Sequence, residues 1–163
     1  MRILGIDPGI ARTGWGVVEL ANSNLKVQNY GCFETSSKKA TSERLVEIHN
    51  FILKTIKEQK PDELAIEELF FNTNAKTAFI VGQARGVILL ASALSSVPNF
   101  IYTPLQVKIA VSGYGRAGKS QVGQMVKTIL SLKSVPKPDD TTDALAIALT
   151  HAFSRKSKRT SML

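Results

Sequence analysis

Four acidic side chains occupy positions from which they can act together, although they are far apart in the sequence. Asp7 ends an apolar run at residues 2–7, and Glu67 lies near the end of a second predicted strand. Asp140 and Asp143 are three residues apart, so one helix presents both on a single face near its start. If the two strands are neighbours, the four carboxylates converge at one rim of a sheet.

A cluster of this kind needs a counter-charge. Two like charges about 4 Å apart repel by about 4 kcal/mol at an effective dielectric constant near 20, so converging carboxylates either bind cations or take up protons. Mg²⁺ fits best because it prefers carboxylate and phosphate oxygens and keeps part of its water shell. Two such ions roughly 4 Å apart would activate a water molecule and stabilise the leaving oxygen in phosphodiester hydrolysis. The pattern therefore predicts a metal site of a kind that suits phosphodiester hydrolysis.

Each acid also has a purely structural interpretation. Asp7 precedes Pro8-Gly9 and can form a turn, Asp139 can cap a helix, and Asp143 can interact with the dipole of the first helical turn. Glu67 is harder to explain in this way, because a carboxylate that continues an apolar strand is seldom buried without a partner. One at a time, three of the four positions favour the structural interpretation. Taken together, they favour a metal site.

The charge is distributed unevenly along the chain. The 163 residues carry a net charge of +8, with nine basic and ten acidic side chains in residues 1–68 but twelve basic and three acidic ones in residues 69–163. The three acids are Asp139, Asp140 and Asp143. A basic half suits a polyanion such as nucleic acid, since phosphate contacts release condensed counterions. The alternative is a basic protein that its charge keeps soluble.

Apolar periodicity and turn residues predict an α/β protein with a mixed sheet and helices packed on its faces. The helix that contains Leu45, Ile48 and Ile52 begins at Ser42 as N-cap and stops before Pro61. The predicted strands are 2–7, 14–20, 25–33, 64–69 and 100–102, and the other helices are 75–94, 105–111, 119–132 and one from 139 onward. Residues 1–153 form one domain, and residues 154–163 form a short basic tail.

Several short motifs together resemble the RuvC family of Holliday-junction resolvases. They occur in the family's order and cover nearly the whole chain: GIDPG at 5–9, TGWG at 13–16, AIEELF at 65–70, GQARG at 82–86, QVK at 106–108, KSQV at 119–122 and DTTDALAIALTH at 140–151. The resemblance implies a ribonuclease-H-like mixed sheet with helices on both faces. It also implies a homodimeric endonuclease that nicks two opposed strands of a four-way DNA junction and works with the bacterial branch-migration motor.

The resemblance also implies roles for individual residues. Its catalytic and metal-binding acids fall on Asp7, Glu67, Asp140 and Asp143, which would hold two Mg²⁺ ions per site, with Mn²⁺ as a substitute. Glu68 and Asp139 lie beside matched positions and are left out of this set.

Further positions are predicted to contact DNA or a second subunit. Phe70, next to Phe71, can stack on an unpaired base, although core packing is an equal alternative. Lys108 and Lys119 match basic positions of the family, and Arg116 lies in the Gly-rich loop between them. Gly82 and Gly86, four residues apart on one helix, allow another backbone to approach closely. That backbone belongs either to the same chain or, as the family suggests, to a second subunit. His49 and His151 are interpreted as ordinary helix residues.

Three competing functions are weighed against this one. GYGRAGKS at 113–120 satisfies the P-loop pattern, but such a loop needs a preceding buried strand and a later magnesium-holding acid, which the sequence hardly provides. An actin-like ATPase needs two related domains, for which the chain is too short. A non-catalytic four-way-junction binding protein fits the charge pattern.

The remaining composition indicates where the protein works. Cys32 is the only cysteine, which fits a reducing compartment, and the first twenty residues lack a long apolar signal core. The apolar helix near residues 78–94 carries Gln83 and Arg85, which argues against a membrane span. These features predict a cytoplasmic protein without a membrane partner.

Overall fold

A computed structural model describes residues 1–68 and 75–160 of the chain. Ten elements follow one another within these residues. In chain order they are β1 (Arg2–Asp7), β2 (Arg12–Ala21), β3 (Asn24–Glu34), α1 (Thr41–Gln59), β4 (Glu63–Glu67), α2 (Ala75–Leu94), β5 (Asn99–Tyr102), α3 (Pro104–Ser112), α4 (Lys119–Ile129) and α5 (Asp139–Thr160).

The five strands form one mixed sheet in the order β3-β2-β1-β4-β5. The pairs β1–β2 and β2–β3 are antiparallel, whereas β1–β4 and β4–β5 are parallel. The turn at Asn22 and Ser23, both with positive φ, closes the predicted hairpin between β2 and β3. The parallel pair β1–β4 places the ends of both strands at the same rim of the sheet.

Helices cover both faces of the sheet, as the sequence predicts. Alternate residues of β1 separate into two cores: Leu4 and Ile6 pack with α1 and α2, and Ile3 packs with α3, α4 and α5. Helix α5 lies directly on β1 and β2 at the centre of its face, with α3 and α4 packed against it. The mixed α/β architecture is therefore confirmed.

Several boundaries differ from the prediction; for example, α4 ends at Ile129 and not at Leu132. The N-cap of α1 is Ala40 and not Ser42, and the Glu43 carboxylate accepts a hydrogen bond from the Ala40 amide at 2.8 Å. Helix α1 ends at Gln59, before Pro61, through Lys60 in a left-handed conformation with φ 49°. Helix α5 continues to Thr160, so the predicted tail begins inside it. Residues 154–160 contain neither Gly nor Pro, so they include no strong helix breaker.

Helix α2 is apolar around most of its circumference. Its segment Thr77–Leu94 is long and apolar enough to cross a membrane by length and composition alone. In the fold, however, one side of α2 forms part of a core through Ala84, Ile88 and Ala91. The opposite side exposes Phe79, Leu90 and Leu94. Helix α2 therefore has two apolar sides, one covered by the core and one exposed.

Candidate active site

The register of the central strands brings Asp7 and Glu67 together. Ile6 of β1 pairs with Ile66 of the parallel strand β4, so the next residues, Asp7 and Glu67, lie side by side at the same rim. Side chains alternate between the two faces of a strand. Because Ile66 faces α1 and α2, Glu67 faces the α5 side, and Asp7 does so for the same reason.

Two glycines allow the start of α5 to reach this rim. A Cβ atom on Gly5 would lie 2.2 Å from the carbonyl oxygen of Ala144, and one on Gly14 would lie 1.9 Å from the carbonyl oxygen of Asp140. Backbone therefore contacts backbone at both places, and α5 has no room for a side chain beneath it. Since Gly14 pairs with Asp7 in the sheet register, the first turn of α5 lies over the end of β1.

The pKa values show that the acids interact. Burial and repulsion from Glu67, Asp143 and Asp140, in that order, raise the pKa of Asp7 well above its usual range. Burial and the Asp143 charge raise the pKa of Glu67 to about 7, against the opposing charges of Lys119 and Lys108. Burial also raises the pKa of Asp143. The four predicted acids thus lie close enough for their charges to form one electrostatic cluster around Asp7.

The donor set fits a hard divalent cation, because it consists of carboxylates that repel one another where they converge. Within residues 1–68 and 75–160, however, no three Asp, Glu, His or Cys side chains are already gathered as ligands around one point. Within the cluster, the Lys119 ammonium donates a hydrogen bond to Asp143 Oδ2 at 3.1 Å. A lysine charge therefore lies directly beside one of the predicted metal ligands.

A family model described as Crossover junction endodeoxyribonuclease RuvC matches residues 3–151, which include all four acids. The chain belongs to the RuvC family.

Individual RuvC proteins are similar over nearly the full length of the chain. A crossover junction endodeoxyribonuclease RuvC of Alkaliphilus metalliredigens is 56% identical over 154 residues, 94% of each chain. The one from Pelotomaculum thermopropionicum is 53% identical over 152 residues, 93% of each chain. A solved structure of Thermus thermophilus RuvC in complex with Holliday junction substrate has a TM-score of 0.92 and 40% identity, covering 97% of this chain and 96% of that one. The protein is accordingly a DNA-binding endonuclease.

The structure does not support the P-loop alternative. Residues 113–120 follow helix α3, which ends at Ser112, and not a buried strand. Gly113 caps α3 with φ 73°, and the loop ends at Gly118, the N-cap of α4. Ala117 is buried and anchors the loop between the two helices. The loop thus connects α3 to α4 and leaves Arg116 exposed.

Two of the basic residues predicted to contact DNA flank the acid cluster. Lys108 on α3 is half-buried and close enough to lower the pKa of Glu67, and Lys119 begins α4 beside Asp143. Gly86 faces outward from α2, and no described atom lies within 4 Å of where its Cβ would be, whereas Gly82 is half-buried. Phe70 and Phe71 lie outside the described residues.

Two further residues near the RuvC site were not predicted. Arg85, in the middle of α2, donates from Nε to the Glu67 carbonyl oxygen at 3.2 Å and thereby holds the end of β4. Its sequence signals were its place inside an apolar helix and within the GQARG motif at 82–86. Lys137 pairs with Asp139 at 2.7 Å on the outer side of the cluster, and it has no signal beyond its charge.

His151 belongs to a separate network, far from the acids along α5. It is 1% exposed, and its Nε2 lies 2.5 Å from Glu63 Oε2 while its Nδ1 lies 2.7 Å from the Tyr102 hydroxyl. Arg155 donates to both carboxylate oxygens of Glu63 and lies over the Phe100 ring. This network fastens α5 to β4 and β5, so it is structural.

Proposed function

We propose that the protein resolves Holliday junctions by Mg²⁺-dependent hydrolysis of one phosphodiester bond in each of two opposed strands. The convergence of Asp7, Glu67, Asp140 and Asp143 at one sheet rim, in a chain of the RuvC family, carries this proposal. The Thermus thermophilus relative was solved with such a junction as its substrate, which supports the choice of DNA.

The four acids would hold two Mg²⁺ ions, with Mn²⁺ as a substitute. When bound, the ions supply positive charge that lowers the pKa of water and stabilises the charge on the reacting phosphate. Asp7 and Glu67 are fixed by the sheet register, and Arg85 holds the backbone of Glu67 in place. This rigid placement lets the acids act together without reorganising when DNA arrives.

Basic side chains around the acids would hold the DNA backbone. Lys108 on α3 and Lys119 at the start of α4 lie beside the acids, and the exposed Arg116 lies in the loop that joins these two helices. Contacts of this kind position the phosphate without reading sequence. Phe70 is proposed to stack on a base at the junction, in line with its place directly after the site.

Two opposed cuts require two active sites, and α2 offers a surface for a second copy. Its outward stripe contains Phe79, Gly82, Gly86 and Leu90, which follow one another at helical spacing. Phe79 is 68% exposed and Leu90 is 51% exposed. We assign this stripe to the homodimer contact instead of a membrane. We further propose that the protein works with the bacterial branch-migration motor and that it is cytoplasmic. Family membership alone supports these two points.

The experiment is to incubate a synthetic four-way junction with the protein, with and without Mg²⁺, and to separate the strands on a denaturing gel. We expect paired nicks with Mg²⁺ only. Asp7→Asn should abolish the nicks and keep or improve binding of the junction, because it removes a metal ligand and a negative charge near phosphate.

The matched control is Asp139→Asn. Asp139 is one residue from Asp140 but is exposed and paired with Lys137, so its variant should nick within a few-fold of the wild-type rate. Wild-type nicking by Asp7→Asn would remove Asp7 from the site. Binding without nicking by the wild-type protein would instead favour the non-catalytic junction binder.

A further inference from the structure

Lys119 neutralises a proposed metal ligand from within the protein. Its ammonium lies 3.1 Å from Asp143 Oδ2, and the charge of that carboxylate raises the pKa of Lys119. Asp143 belongs to the cluster in which burial and mutual repulsion favour a cation. The lysine and an incoming divalent ion therefore compete for the same carboxylate.

The lysine side chain is free to move away. It is 75% exposed, whereas that of Asp143 is 28% exposed, so the acid is fixed and the base is the mobile partner. Lys119 lines an open cavity of about 330 Å³ whose wall also includes Asp143, Gln124 and Lys137. Because most of the lysine side chain is in solvent, rotation about its bonds can carry the ammonium outward, away from Asp143 and toward the side where a DNA backbone would lie.

We propose that Lys119 holds Asp143 in the cation-free enzyme and passes to a DNA phosphate when a divalent cation takes that carboxylate. This inference rests on the proposed metal site. Before the cation binds, the charges of Lys119 and Asp143 cancel, and the ammonium has little attraction left for phosphate. After it binds, the repulsion between two cations releases the lysine, which strengthens DNA binding beside the reacting strand. One side chain thereby couples metal binding to DNA binding.

The first test measures the affinity of the DNA-free protein for Mn²⁺ by electron paramagnetic resonance. Lys119→Ala should bind Mn²⁺ about fivefold more tightly than the wild type, because an exposed ion pair of this kind is the interaction that the metal must break. Lys119→Arg keeps the positive charge and should stay near the wild-type affinity.

Lys137→Ala is the matched control. Lys137 forms the neighbouring ion pair, with Asp139 at 2.7 Å, lines the same cavity and is exposed to the same degree. Its acid is outside the proposed ligand set, so this variant reports how much the loss of any nearby positive charge matters. The Mn²⁺ affinity should change by less than twofold.

The second test compares the salt dependence of junction binding with and without Ca²⁺, the hard divalent probe. In the wild-type protein the slope should steepen by about one unit when Ca²⁺ is present, because one further phosphate contact forms. In Lys119→Ala the slope should not steepen. The difference between the two proteins is the readout.

Equal Mn²⁺ affinities for Lys119→Ala and Lys137→Ala would overturn the proposed transfer of Lys119 from Asp143 to a DNA phosphate. A Ca²⁺ effect on the salt slope that survives in Lys119→Ala would overturn it too. Failure of the metal site itself has a different signature. If the wild type and Asp7→Asn bind Mn²⁺ equally, the proposed metal site is wrong, and the proposed transfer of Lys119 is then wrong as well.

Discussion

Replacing Gly14 by alanine tests how the acids are brought together. The added Cβ atom would lie 1.9 Å from the carbonyl oxygen of Asp140, 2.3 Å from its carbonyl carbon and 3.0 Å from the Thr141 nitrogen. These are backbone atoms, so no side-chain rotation relieves the clash. Ordinary contact begins at 3.4 Å, so the start of α5 must retreat by about 1.5 Å.

This displacement of the start of α5 should lower both the stability of the protein and its rate of nicking. Overpacking of a close contact typically costs 1–3 kcal/mol, and we expect about 2–3 kcal/mol here because the obstacle is rigid. The retreat also carries the acids of α5 away from Asp7. A misplacement of about 1 Å can cost about 100-fold in rate, so nicking should fall by at least that factor.

Urea unfolding followed by circular dichroism gives the change in stability, and junction nicking at a temperature where the variant is folded gives the rate. Gly118→Ala is the control: it is also a glycine-to-alanine change, but no described atom lies within 4 Å of the new methyl group. It should unfold within about 1 kcal/mol of the wild type. A Gly14→Ala protein with wild-type stability and wild-type nicking would refute the contact between β2 and α5.

Three further predictions concern pH, assembly and the far end of α5. Because the pKa of Glu67 is about 7 in the folded protein and 4.5 without its surroundings, the folded state holds the proton more tightly. The free energy of unfolding measured in EDTA should therefore fall by up to about 3 kcal/mol as the pH rises from about 4.5 to 7. Mg²⁺ should reduce this loss, and a flat pH profile in EDTA would contradict the assignment. Gly86→Ala should raise the stability of the monomer by up to about 1 kcal/mol and weaken the dimer about tenfold in sedimentation equilibrium; an unchanged dimer constant would move the contact away from this stripe. Glu63→Gln should cost about 3 kcal/mol in urea unfolding, since it leaves His151 and Arg155 without their carboxylate, while the folded fraction nicks at the wild-type rate. A loss of rate without a loss of stability would give this network a part in the chemistry.

The sequence predicted the elements well because each has a strong local signal. The short apolar run of β1 and the turn at residues 21–24 are local properties, and so is the stop before Pro61. The end of α5 was predicted less well, because no residue marks it and the interaction that holds it is remote. Arg155 reaches Glu63, ninety-two residues earlier in the chain, and spacing cannot show such a contact.

The sequence predicted which acids would lie at the sheet rim, but it did not predict the ion pair between Lys119 and Asp143. The strand ends and the i, i+3 pair on α5 placed the acids on one rim, and the register of β1 with β4 supports that placement. That Lys119 would lie on Asp143, twenty-four residues away, depends on how α4 packs against α5. The glycines at 5 and 14 are part of recognisable motifs, but their reason, the approach of the α5 backbone, appears only in three dimensions.

Two glutamates on one strand show how the same residue type acquires opposite properties. Glu63 and Glu67 are four residues apart on β4 and face the same side, a separation of about 13 Å. Along α5, Asp143 and His151 are eight residues apart, about 12 Å. The spacing of these two residues on the helix therefore equals that of the two glutamates on the strand. At one end Glu63 meets donors: burial raises its pKa, but hydrogen bonds from Arg155 and His151 outweigh this and lower it.

At the other end Glu67 meets Asp143, and both burial and charge raise its pKa to about 7. The difference arises from the partner that α5 presents and not from the strand. The acids at the start of α5 are placed by the sheet register and by the close backbone contacts at Gly5 and Gly14, whereas the ion pairs at its far end add to the stability of the fold. The network around Glu63 is therefore structural, which is why Glu63→Gln is expected to lower the free energy of unfolding and leave the nicking rate of the folded fraction unchanged.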